Sequence, residues 1–119
     1  MLKLGNETKV YLSVSATDMR CGVFSLAGKV HSVFDRDSLD GNLYVFVSRD
    51  KKKVKILEWQ DDGYWLHYKR LGVGTFQLKL TESGSELITG VDLEKLLSGI
   101  SLYKIKLSKK VKRSIAKSS

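Results

Sequence analysis

The chain has 119 residues, 42% of them apolar, which suits one small domain with a single core. Its net charge is +8, yet seven of its 21 basic residues and none of its 13 acids fall in residues 101–119, so the preceding stretch is nearly neutral. A single cysteine, Cys21, excludes an internal disulfide framework, no apolar run approaches the ~20 residues that span a membrane, and MLKLGNETK does not read as a secretory leader, so a soluble cytoplasmic protein is expected.

Residues 10–14 (VYLSV) alternate and are β-branched, which predicts a short strand. Thr17 has the chemistry of an N-cap, with Asp18 in a first turn whose dipole favours an anion. Met19, Val23, Leu26, Ala27, Val30 and Phe34 then recur at helical spacing, so a long helix is predicted to about Phe34. His31 falls on its solvated side. Residues 35–42 read as a loop, and residues 43–48 (LYVFVS), apolar on both faces, as an inner strand. Arg49 to Lys53 form a charged turn. Residues 54–60 and 64–71 read as two more strands, with Asp62-Gly63 as a two-residue hairpin loop. After Gly72-Val73-Gly74, residues 76–80 alternate as a last strand. Thr89 and Asp92 have capping-box spacing and open a short helix with Leu93, Leu96, Leu97 and Ile100 on its buried face.

The fold class implied is α+β: an antiparallel sheet of four or five strands, one long helix packed on it, a short C-terminal helix and a basic C-terminal arm. Residues 1–107 are expected to form one domain and residues 108–119 a flexible basic tail, too charged to offset its ordering entropy.

A loop at Asp62-Gly63 pairs Trp59 with Leu66, Leu57 with Tyr68 and Lys55 with Arg70. Trp59, Leu57, Tyr64, Leu66 and Tyr68 then share a core face, while Trp65, His67 and Glu58 share a mostly wet one. Two cations placed opposite each other need an anion. An internal carboxylate supplies it, Asp18 first or Asp50, or else a phosphate does.

Catalysis finds little support. Metal-dependent strand transfer needs several converging carboxylates, whereas these acids lie mostly in turns and caps, and the adjacent pair Asp61-Asp62 is accounted for by the hairpin. His31, His67 and Cys21 do not make a zinc set, and no phosphate-binding glycine loop or serine nucleophile motif is present. No catalytic residue, metal site or cofactor is therefore predicted. Nucleic acid is the natural partner of the arm, because each cation near a phosphate releases counterions. Its candidate contacts are Lys109, Lys110, Lys112, Arg113 and Lys117, joined by Lys51, Lys52 and Lys53 in the charged turn and by Lys69 and Arg70. Trp65 either stacks on a base or packs under another loop. With no helix-turn-helix evident, weak sequence preference is expected.

Thr17-Asp18-Met19-Arg20, Gly41-x-Leu43, and the run from Val54-Lys55-Ile56-Leu57-x-Trp59 through Gly63 to Tyr68-Lys69-Arg70-Leu71 and Gly74-x-Phe76 resemble a bacterial transposon family. They are similar to the TnpB-type small accessory protein of the insertion-sequence family numbered sixty-six, which is not the RNA-guided nuclease of the same name. Leu96-Leu97-x-Gly99-Ile100-Ser101-Leu102 and the lysine-rich tail extend the resemblance over about residues 10–113. It implies a non-catalytic role in DNA transposition beside a separate transposase, with Thr17, Asp18, Met19, Arg20, Lys55, Trp59, Gly63, Tyr68 and Leu71 as motif positions that support the fold. Two functions stay open: a DNA-binding accessory factor associated with the nucleoid, or a protein adaptor that binds the transposase without recognising DNA. Without the resemblance, a small RNA-binding protein is a further reading.

Overall fold

A computed structural model describes residues 7–99 of the chain. The basic arm, Ile100 and the expected tail boundary lie outside the described residues. The elements run β1 (Val10–Ser13), α1 (Val23–Phe34), β2 (Leu43–Val47), β3 (Lys53–Gln60), β4 (Gly63–Arg70), β5 (Ser85–Ile88) and α2 (Gly90–Leu97). The five strands form one sheet in the order β4-β3-β2-β1-β5.

β2 is the centre of this α+β arrangement. All five of its residues are buried, as a run apolar on both faces requires. On one side Tyr44 and Phe46 pack with Leu57 against Leu26, Val30 and Phe34 of α1. On the other, Leu43, Val45 and Val47 join Val10, Leu12, Val54 and Ile56 under Phe76, Leu78, Leu93 and Leu96. The sheet is thus the middle of three layers, with α1 above and the 71–81 segment plus α2 below.

The sheet is mixed, not antiparallel. β1 runs parallel to β2, pairing Val10 with Leu43 and Leu12 with Val45, and the other neighbouring pairs are antiparallel. The connection from β1 to β2 carries α1, and a crossover of that length permits parallel neighbours where a hairpin cannot. The helix is also shorter than predicted, 12 residues with Gly22 as its N-cap, and Thr17 does not cap it. Asp18 explains the delay. Its side chain accepts from the Arg20 backbone N–H at 2.9 Å, and its carbonyl from the Cys21 N–H at 3.2 Å, so residues 17–21 form a local turn that competes with the helix.

Residues 75–80 are not a strand, and β5 is Ser85–Ile88 instead. Phe76 and Leu78 do point inward while Gln77 and Lys79 are exposed, so the alternation holds without a ladder. The segment is laid over the sheet face. It is tied at one end by the Phe76 N–H to the Lys51 carbonyl (2.6 Å) and at the other by the Thr81 N–H to the Val14 carbonyl (2.6 Å). α2 has the predicted capping box, with Thr89 accepting from the Asp92 N–H and Asp92 from the Thr89 N–H.

The β3–β4 loop is Asp61-Asp62, with Asp61 left-handed at φ 48°, a conformation that Asp tolerates. Trp59 therefore pairs with Tyr64, Leu57 with Leu66, Lys55 with Tyr68 and Lys53 with Arg70. Each partner moves by two residues from the predicted register, which keeps the same residues on each face because side chains alternate with period two, but burial differs from expectation: Tyr68, expected in the core, is exposed, and Glu58, expected on the wet face, is buried. Packing favours this register: Trp59 and Tyr64 meet edge to face at 5.0 Å, and Leu66 joins the α1 core. Trp59 is half-buried, and Trp65 is 50% exposed with its indole N–H donating to Gln60 Oε1 at 2.8 Å.

Phe76 is fully buried although it belongs to no helix or strand. Phe76→Ala should therefore cost about 3–5 kcal/mol, the range for a core aromatic, and Trp65→Ala clearly less. Urea unfolding of both variants checks this; equal losses would mean that the 75–80 segment does not seal the sheet.

Candidate nucleic-acid interface

The end of the sheet where β2 gives way to β3 gathers residues far apart in sequence. The Thr17 N–H donates to the Val47 carbonyl at 2.8 Å, which docks the Thr17–Arg20 turn beside the end of β2. Lys55 locks that turn from the other side, its ammonium donating to the Met19 carbonyl at 2.7 Å and the Cys21 carbonyl at 2.9 Å. The predicted carboxylate bridge between Lys55 and Arg70 is not formed: Arg70 lies across from Lys53, Lys55 takes two backbone carbonyls, Asp18 pairs with Arg20 and Asp50 with Lys53. A shallow groove results, lined by the Thr17–Arg20 turn, Ser48, Arg49, Asp50, Lys53 and Tyr68.

The charged turn between β2 and β3 is built rather than loose. Lys51 is left-handed at φ 59°, and its N–H donates to the Ser48 carbonyl at 3.0 Å. Asp50 accepts from the Ser48 hydroxyl, from the Lys52 N–H at 3.0 Å and from the Lys53 ammonium at 3.5 Å. The Lys51 and Lys52 carbonyls receive the N–H groups of Phe76 and Leu71, so core packing anchors the turn.

Two carboxylates here are strongly acidic. The Arg20 guanidinium, held at 2.6–3.1 Å from both oxygens, brings Asp18 down to about 2. The Ser48 hydroxyl, and then the Lys52 N–H, bring Asp50 down to about 2. Among the described residues the ion pairs are Asp18–Arg20, Asp40–Arg36, Asp50–Lys53 and Glu58–His67. None engages Arg49, Lys51, Lys52 or Arg70. Arg49 and Lys51 also line a neighbouring cleft with Lys79 and Glu82, so Arg49 joins two grooves into one cationic rim.

Of the residues singled out for nucleic acid, Lys51 and Lys53 line these grooves, Lys52 stands between them in the same turn, and Arg70 lies across from Lys53 in the ladder. Lys69 is otherwise occupied: its ammonium donates to the Leu97 carbonyl at 2.7 Å and caps the end of α2. Lys109, Lys110, Lys112, Arg113 and Lys117 lie outside the described residues. Thr17, Asp18, Met19, Arg20, Lys55 and Tyr68 converge on the groove, whereas Trp59 and Gly63 lie at the opposite end of the hairpin and Leu71 packs against the lower core. Arg49 and Lys79 were not singled out by sequence. Arg49 was legible as the neighbour of the lysine run; Lys79 was hidden by reading its segment as a strand.

Comparison with known proteins agrees with these motifs. The model of the family described as IS66 Orf2 like protein matches residues 8–107. The chain belongs to this family. It is also 42% identical over 101 residues to the uncharacterized protein y4hO of Sinorhizobium fredii, covering 84% of this chain and 87% of that protein. No solved structure matches. Membership gives the chain an accessory part in insertion-sequence transposition. No helix among the described residues is long and apolar enough to cross a membrane, and none of their His, Cys, Asp and Glu side chains group in threes as a metal site would need.

Asp18 and Asp50 are depressed on folding, so the stability they contribute is present above their ordinary value of 3.8 and lost as pH falls towards about 2. The urea midpoint should drop over that window. Asp50→Asn should make the drop shallower, and an identical acid limb in both proteins would show that the turn does not depend on this carboxylate.

Proposed function

We propose that this IS66 Orf2-like protein is a non-catalytic DNA-binding factor that assists a separate transposase, holding DNA phosphates with the cationic rim and the basic tail. The observation that carries this reading is the rim itself. Arg49, Lys51 and Lys52, on a turn that the core holds in place, and Arg70 at the end of β4 stand at one end of the sheet without a carboxylate partner among the described residues. Assembling like charges on a rigid turn is unfavourable in the free protein, and an approaching polyanion relieves it. The tail adds seven cations and no acid in residues 101–119. Lysines and arginines on phosphates position a protein without reading bases, so binding is weakly sequence-specific. The competing reading is an adaptor that binds only the transposase.

Roughly four to six neutralised phosphates give a slope of log affinity against log salt of about −4 to −5 on duplex DNA. Removing residues 108–119 should flatten it by several units. Alanine at Lys51, Lys52 and Arg70 together should flatten it by about 0.9 for each phosphate that is no longer neutralised. Binding of the three proteins to element-end and random duplexes across a salt series measures both effects. Identical slopes for all three would leave the adaptor reading in place, to be tested by capture of the element's transposase with and without end DNA.

A further inference from the structure

Tyr68 is a large aromatic residue that neither core uses. It is 53% exposed, on the face of β4 that also carries Arg70, and belongs to neither apolar cluster. Its ring lines the groove beside Arg20, Arg49 and Lys53. Lys55 lies across from it in β3 with its ammonium 5.7 Å from the ring centroid, and that ammonium is itself fixed by the Met19 and Cys21 carbonyls. Tyr68 is therefore held by a strand and a pinned cation, with about half of its surface open to solvent and two arginines in the same groove.

We propose that Tyr68 is a stacking platform for an unpaired DNA base, so that the groove takes single-stranded DNA, such as a frayed or nicked end, in preference to intact duplex. This rests on the DNA-binding reading above and adds the state of the DNA to it. In a duplex the base faces are covered by their neighbours, and an exposed ring gains stacking only from a base outside the helix. Cations flanking an aromatic platform are the combination that single-strand sites use: the charges track the backbone and the ring takes the base irrespective of sequence. Asp18 and Asp50 offset Arg20 and Lys53, with which they pair, so the uncompensated charge beside the ring is that of Arg49 in the groove and of Arg70, two residues along β4. The Tyr68 hydroxyl is not needed for stacking, so phenylalanine should substitute for it.

The test compares wild type, Tyr68→Leu and Tyr68→Phe by fluorescence anisotropy with labelled single-stranded DNA, blunt duplex of the same length and single-stranded RNA, after circular dichroism has shown each variant folded. Wild type should bind the single strand more tightly than the duplex at equal salt. Tyr68→Leu should weaken single-strand binding by roughly 5- to 100-fold, the loss of one stacked base, and duplex binding by less than about twofold. Tyr68→Phe should stay within about twofold of wild type on all three probes, since the ring is kept. Photocrosslinking of the single strand to the wild-type chain, independent of any variant's folding, should label the peptide that contains Tyr68. Duplex binding with no single-strand preference and no effect of Tyr68→Leu overturns this inference and leaves the DNA-binding reading standing. No binding to any probe overturns both, tighter binding of RNA than DNA overturns the choice of ligand, and crosslinks confined to other peptides overturn the platform.

Discussion

The burial of β2 on both faces is the constraint on which the rest of the molecule depends. A strand whose five residues are all removed from water must be covered twice, and the longer described helix, α1 with 12 residues, covers one face only. Tyr44 and Phe46 take α1, with Phe34 packed against both rings at 5.2 and 5.7 Å. Leu43, Val45 and Val47 have to be covered by something else. The chain uses an extended segment bearing Phe76 and Leu78, closed off by a short capped helix. Each buried side chain removes apolar area worth about 1.5–3 kcal/mol from water, which holds a segment with no ladder of its own in place.

That second covering layer is what turns a charged loop into a presented surface. The N–H groups of Leu71 and Phe76 reach the carbonyls of Lys52 and Lys51 as the chain turns back under the sheet. The lysine turn is thereby anchored to the core through its backbone while its side chains remain available. The Thr17–Arg20 turn is fixed similarly, by one strand-end hydrogen bond and by Lys55. The groove between them thus has walls set by hydrophobic burial and a rim set by charge, and binding there would not have to order the backbone first.

The opposite end of the hairpin has another character. The 35–42 loop is drawn in by the Tyr44 hydroxyl donating to Asp40, by Arg36 on the same carboxylate at 3.2 Å and by Ser38 against the Tyr64 hydroxyl at 2.6 Å. The buried Glu58 carboxylate meets His67 at 3.1 Å. Asp61 and Asp62 form the loop. Polar groups there satisfy one another, whereas at the cationic end Arg49, Lys51, Lys52 and Arg70 face solvent or groove without a carboxylate among the described residues. The two ends of one sheet therefore differ in how far their charges are compensated, and the Thr17–Arg20 and Tyr68–Leu71 boxes lie at the cationic end.

Features that depend on neighbours within a few residues could be read from the chain directly. They include the two-sided apolar run of β2, the capping box of α2, the alternation of residues 76–80 and the family boxes. Local signals also misled where a side chain competed with the backbone, as Asp18 does in delaying α1 to Val23, and where two adjacent dipeptides could each close the hairpin. Long-range packing was needed to settle that β1 lies parallel to β2, that residues 85–88 and not 76–80 fill the sheet edge, that Trp59 faces Tyr64, and that residues near positions 18, 50 and 68 share one groove. These choices compare whole arrangements of the core against one another. Strand order costs nothing locally, so it is settled by which order covers β2 on both faces, and the cationic groove is a consequence of that solution.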